Sequence, residues 1–175
     1  LIVIFGGPNF PIERAEKIEF FERRRAIDFH IQNEGEVGFV DLVRKIQEYD
    51  FNISTLKENR EVILNCNYLI ENELVEGPVE RITDPNIIPS PYLSGLLDEF
   101  FNYPLAPMVE TTRGCPFRCA FCADGLISKS RVFRFAHERV EEELHYIAER
   151  VKNIDELIIT DLNFGMYDDD VKTAR

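Results

Sequence analysis

Three thiols crowd into one short segment, Cys115-Pro116-Phe117-Arg118-Cys119-Ala120-Phe121-Cys122. Thiolates are the usual ligands of iron–sulfur clusters. Gaps of three and then two residues let a single loop wrap three corners of a cubane. No fourth cysteine stands nearby, so one iron of such a cluster stays open, and an open position implies chemistry as it does at catalytic zinc. Zinc is the competing occupant. Structural zinc sites usually close four ligands, and the nearest candidates, His137 and Cys66, lie well away along the chain. A thioredoxin-like pair at Cys119 and Cys122 gives no reason for Cys115. The expected metal ligands are Cys115, Cys119 and Cys122.

Apolar periodicity predicts the elements that carry this loop. Met108 to Thr112 reads as a strand delivering the chain into it, about Glu138 to Val151 as a helix, and Leu157 to Thr160 as a buried strand ending in Asp161-Leu162-Asn163. Upstream, Leu1 to Phe5 reads as a fully buried strand, followed by a Gly6-Gly7-Pro8 turn and a helix through Ile12, Ala15, Ile18 and Phe21. Ala26 to His30 is a second short strand. The polar loop Gln32-Asn33-Glu34-Gly35-Glu36 then leads into a helix from Val37 to Tyr49, with Phe39, Val40, Val43 and Ile46 on one stripe. Alternating strands and helices at this spacing imply an α/β fold with parallel strands. From about Asp50 to Pro107 the periodicity fails among six prolines, with Val62 to Leu69 the best strand. The expected organisation is 1–50 as one α/β piece, 51–107 as a linker and 108–175 as the start of a second β/α region.

A formal charge of −12 and a pI near 4.7 oppose nucleic-acid binding, which depends on Lys and Arg neutralising phosphates. A small-molecule or protein substrate is expected instead, and a small molecule is the substrate class assigned. The cysteine clustering without a secretory leader points to a reducing cytoplasm, not a disulfide framework. The apolar runs are of strand length and none spans a bilayer. The sequence begins inside an apolar strand without Met and stops inside an expected helix, so it reads as a fragment.

The loop resembles that of the radical S-adenosylmethionine (SAM) superfamily, whose C-x₃-C-x-aromatic-C pattern matches Cys115, Cys119, Phe121 and Cys122. The resemblance implies a [4Fe–4S] cluster whose free iron chelates SAM and whose electron, supplied by a reductant such as flavodoxin or ferredoxin, cleaves it to a 5′-deoxyadenosyl radical. It also implies that 108–175 opens a partial TIM-like barrel needing more chain than follows Cys122, so that 1–175 alone is expected to be inactive. Phe121 reads either as a core aromatic or as the adenine side of a SAM pocket. Family members hold the SAM amino group with a Gly-Gly-Glu-like turn after the second barrel strand. This chain departs from that pattern with Thr160-Asp161-Leu162-Asn163, where Asp161 and Asn163 are the candidate SAM contacts and a capping or turn role is the plain alternative.

Leu1 to about Asp50 resembles the C-terminal half of the flavodoxin-like (Rossmann-type) cobalamin-binding domain that precedes many radical SAM barrels. Gly6, Gly7 and Pro8 at a strand's carboxyl end are the candidate cobalamin contacts, since glycines there let a ligand approach the backbone. Asp28-Phe29-His30-Ile31-Gln32-Asn33 begins like the family's Asp-x-His-x-x-Gly axial-ligand motif. Position 33 is Asn and the segment lies on the later strand, so His30 is expected as a buried strand-end residue. Cys66 is expected as a small buried residue outside the cluster. Arg113 is expected in a structural ion pair, Arg131 and Arg134 as possible carboxylate partners, and Asp168-Asp169-Asp170 as a helix start. The implied reaction is cobalamin-dependent methyl transfer or a related radical modification. The alternatives are a non-catalytic cobalamin or iron–sulfur sensor and a zinc-stabilised binding module.

Overall fold

A computed structural model describes residues 1–7, 9–122, 125 and 130–174. The chain divides into two compact units, Leu1–Ile82 and Thr83–Arg175, and the architecture is mixed α/β. The stretch 51–107, expected as a linker, is shared between the units, and its first part completes the sheet of the first.

The first unit runs β1 (Ile4–Gly6), α1 (Arg14–Glu22), β2 (Phe29–Ile31), α2 (Gly35–Glu48), α3 (Ile53–Glu58), β3 (Cys66–Ile70) and β4 (Glu73–Glu76), with the strands hydrogen-bonded in the order β1-β2-β3-β4. β1 and β2 are parallel, with Ile4 opposite Phe29, as the strand–helix alternation predicts. β3 and β4 are antiparallel to their neighbours. β3 and β4 form a hairpin through the two-residue turn Glu71-Asn72, whose φ values of 48° and 65° are of the left-handed type that matches strand twist.

Side chains alternate across this sheet. Phe29, Ile31, Cys66 and Tyr68 meet Leu42 and Ile46 of α2 and Leu56 of α3 in one core. On the other face Phe21, Ile27 and Leu74 pack with Phe10, Ile18 and Phe20. His30 and Asn67, paired across β2 and β3, belong to this second face. His30 is 2% exposed and stacks on Phe10 with ring centroids 3.8 Å apart. The stripe expected on α2 is corrected: Gly38, Leu42 and Ile46 are buried, whereas Phe39 and Val40 face outward. Gly38 moves the buried line because α2 passes so close to the turn before β3 that a Cβ there would stand 2.9 Å from the Leu64 carbonyl oxygen. Leu1 to Phe5 is not fully buried either, because β1 stands at the sheet's edge with one neighbour.

The second unit holds two 3₁₀ turns (Pro85–Ile87, Asp98–Asn102), β5 (Met108–Val109), β6 (Thr112–Arg113), β7 (Phe133–Arg134), α4 (His137–Arg150), β8 (Ile158–Ile159) and α5 (Asp168–Thr173). β5 and β8 run parallel, Met108 opposite Ile158, with α4 between them in sequence. Tyr92, Phe101, Val109 and Ile147 form the core, and the Tyr92 hydroxyl is fixed by the backbone N–H and carbonyl of Met108 at 3.0 and 2.9 Å. β8 is shorter than expected and only partly covered, since β5 is its one partner. No helix among the described residues is long and apolar enough to cross a membrane.

Candidate functional site

The cysteine loop leaves the second unit's small sheet through Glu110-Thr111-Thr112-Arg113, and its two feet are tied together. β6 before the loop pairs antiparallel with β7 after it, Thr112 opposite Arg134 and Arg113 opposite Phe133. A second tie comes from the end of β8. The Asp161 carboxylate accepts the backbone N–H of Thr111 at 2.7 Å and of Thr112 at 3.1 Å, and both threonine hydroxyls donate to it, that of Thr112 at 2.9 Å. Thr111 and Thr112 are buried, so these bonds also satisfy groups shut off from water. Arg113, expected in a structural pair, donates through Nε to Glu110 at 2.7 Å.

Two residues past Asp161, the Asn163 side chain reaches the loop itself, its Nδ2 donating to Cys115 Sγ at 2.9 Å. Cys115 is partly buried, whereas Cys119 and Cys122 are exposed, and none of the three is in a disulfide. Backbone bonds from Cys122 N to Cys119 O and from Gly125 N to Cys122 O, both 3.1 Å, wind the second half of the loop. A Cβ at Gly125 would lie 2.4 Å from the Cys119 carbonyl oxygen, so that position admits only glycine. Sequence reasoning missed Gly125, although a glycine three residues past the last cysteine was the available signal. Phe121 is 94% exposed and is therefore not a core aromatic.

In kind, this donor set fits an iron–sulfur cluster: three unbridged thiols on one tethered loop, one already accepting an N–H bond of the sort cluster sulfurs receive. The side chains are not drawn together, and no group of three His, Cys, Asp or Glu among the described residues is arranged to hold a metal ion.

No protein-family model matches the chain. It is 30% identical over 184 aligned positions to the 2-(S-pantetheinyl)-carbapenam-3-carboxylate methyltransferase of Streptantibioticus cattleyicolor and 29% identical over 185 to the cobalamin-dependent radical SAM methyltransferase TokK of Streptomyces tokunonensis. Each alignment takes in all of this chain and 25% of the relative. The structure of the cobalamin-dependent SAM radical enzyme OxsB with aqua-cobalamin and SAM bound superposes with a TM-score of 0.62 at 25% identity, over 93% of this chain and 21% of that one. By name, TokK is a cobalamin-dependent radical SAM methyltransferase and OxsB a cobalamin-dependent SAM radical enzyme. An uncharacterized methyltransferase of Pyrococcus horikoshii is 35% identical over 155 positions, 83% of this chain and 31% of the relative. The chain thus spans about a quarter of the length of the carbapenam methyltransferase and of TokK.

The other candidate residues fall as follows. Gly6 ends β1 and is exposed, and Gly7, with φ of 109° and open space where a Cβ would stand, leaves backbone accessible. Pro8 lies outside the described residues. Beyond it, Asn9, Phe10, Pro11, Phe20, Arg23 and Arg24 line an open groove of about 450 Å³. Glu34 directly precedes α2, and its carboxylate pairs with Arg81 at 2.6 Å. Burial, and then the charge of Asp41, pushes the Cys66 thiol up to about 12, so it stays protonated and inert on β3. Arg134 binds Asp169 on α5 at 2.7 Å and lies over the Tyr167 ring, while Arg131 lies over Phe133. Asp170 is buried and accepts the backbone N–H groups of Gly165 and Tyr167, both at 2.9 Å, which fixes the turn following Asn163.

Proposed function

We propose that this chain belongs to a radical SAM enzyme that carries out cobalamin-dependent methyl transfer, or a related radical modification, on a small molecule. Cys115, Cys119 and Cys122 would hold a [4Fe–4S] cluster, leaving the fourth iron for SAM. When bound and reduced by a flavodoxin or ferredoxin, the cluster supplies the electron that cleaves SAM to methionine and a 5′-deoxyadenosyl radical, and cobalamin supplies the methyl carrier. The observation that carries this reading is the set of three unbridged thiols on a loop tethered at both feet.

The chain's own residues divide the work. Asp161 commits its carboxylate to Thr111 and Thr112, so it acts by holding the loop to the end of β8 and not by touching SAM. Asn163 uses Nδ2 on Cys115, which leaves Oδ1 to accept from the SAM amino group. Phe121, standing out from the loop, lines the adenine side. Gly6 and Gly7, with Pro8, would approach cobalamin by their backbone at the carboxyl end of β1, where open α/β sheets bind cofactors. On this reading the first unit belongs to a flavodoxin-like cobalamin domain and the second opens a partial TIM-like barrel.

The test is anaerobic reconstitution of the intact protein with iron and sulfide, then reduction with SAM and analysis of metal and products. Iron with 5′-deoxyadenosine is the expected result. Bound cofactor without 5′-deoxyadenosine would establish a sensor, and zinc without visible absorption a binding module; either outcome overturns the enzyme reading.

A further inference from the structure

We propose that Asn163 sets the reduction potential of the cluster through an N–H···S hydrogen bond to Cys115. This rests on the reading that the three cysteines hold a [4Fe–4S] cluster. Nδ2 lies 2.9 Å from Cys115 Sγ across 48 residues of sequence. The contact is built, not incidental: Asp161, two residues earlier, is bound to Thr111 and Thr112, four and three residues before Cys115, so the two segments are held in one register. Asp170 fixes the turn on the far side through Gly165 and Tyr167. Asn163 is thereby tethered on both flanks, with its amide aimed at one sulfur.

Cys115 is also the least exposed of the three thiols. Cluster potentials follow hydrogen bonds to the sulfurs and solvent exposure, and a hydrogen bond is stronger where the local dielectric is low. Reduction adds negative charge to the sulfurs, so an N–H donor stabilises the reduced state and raises the potential. An amide does this without a charge of its own. The isosteric carboxylate would present an anion to the same sulfur and act in the opposite direction. Asn163 is a positioning and tuning residue, acting through Cys115.

The experiment is a redox titration of the reconstituted intact protein followed by electron paramagnetic resonance, comparing wild type with Asn163→Ala, Asn163→Asp and Leu162→Ala. Leu162 is a half-exposed neighbour and serves as the control for local disturbance. Removing the donor in Asn163→Ala is expected to lower the reduced-to-oxidised ratio at a fixed potential about tenfold, a shift of ~59 mV to more negative values for one electron. Asn163→Asp is expected to shift further in the same direction, and Leu162→Ala to leave the midpoint in place. Where Asn163→Asp fails to retain iron, Asn163→Ala carries the comparison. Full iron loading with an unmoved midpoint in Asn163→Ala overturns the proposal and leaves the cluster assignment standing. A wild-type protein that takes up no iron overturns the cluster assignment itself and this proposal with it.

Discussion

Four donors on two buried threonines converge on the Asp161 carboxylate, so its loss strips partners from backbone groups that water does not reach. Hydrogen bonds to a charged group contribute about 1.5–3 kcal/mol. Asp161→Ala should therefore destabilise the second unit by about 2 kcal/mol in chemical denaturation and lower the iron retained after reconstitution; wild-type stability would show that the threonines do not depend on it. His30 offers a second test. Burial, and then the charge of Lys17, lowers its pKa from 6.5 to about 4. The folded protein thus holds the imidazole neutral while the unfolded chain protonates it below 6.5. Stability is fully present above pH 6.5 and falls as the pH drops towards 4, by roughly 3 kcal/mol at 1.36 kcal/mol per unit. His30→Phe keeps a ring against Phe10 and should flatten that part of the stability-against-pH curve; an unchanged slope would place the titrating group elsewhere. The three thiols of the loop stand out in the sequence because their spacing is local. The partners of Asp161 and Asn163 could not, because they lie 48 to 50 residues away and chain proximity carries no trace of them.

The helices α2 and α4 were legible as elements because an amphipathic stripe is a strong signal over 14 residues. The buried line of α2 was misread because Gly38, which has no side chain to count as apolar, is the point of closest packing. Gly38→Ala is predicted to push α2 off the Leu64-Asn65 turn, where the new methyl would meet backbone oxygen and the Asn65 Cβ at 2.9 Å. Overpacking of this kind costs about 1–3 kcal/mol, and a fall in thermal midpoint is the readout; no change would mean that the helix shifts freely. The β3–β4 hairpin also escaped the sequence pattern. Its Glu71-Asn72 turn lacks the glycine that usually marks such turns, yet both residues adopt positive φ. Short strands are set by their partners and not by their own residues, which is why the single strand expected from Met108 to Thr112 divides into β5 and β6 and why β8 is shorter than Leu157 to Thr160.

At the scale of the molecule, two units with separate cores sit on one acidic chain, and the carbapenam methyltransferase and TokK are each about four times its length. The mixed α/β character and the position of the cysteine loop followed from alternation and spacing. The division at 82/83 did not, because β3 and β4 are short and join the first sheet through a partner, β2, that is distant in sequence. The proposed function requires an iron–sulfur cluster held by Cys115, Cys119 and Cys122 with one iron open to SAM. The most direct measurement is electron paramagnetic resonance of the anaerobically reconstituted, reduced protein with and without SAM, alongside a Cys115→Ala variant. A [4Fe–4S] signal that changes on adding SAM and is absent from the variant is the predicted result; a signal indifferent to SAM, or one that survives the loss of Cys115, would contradict it.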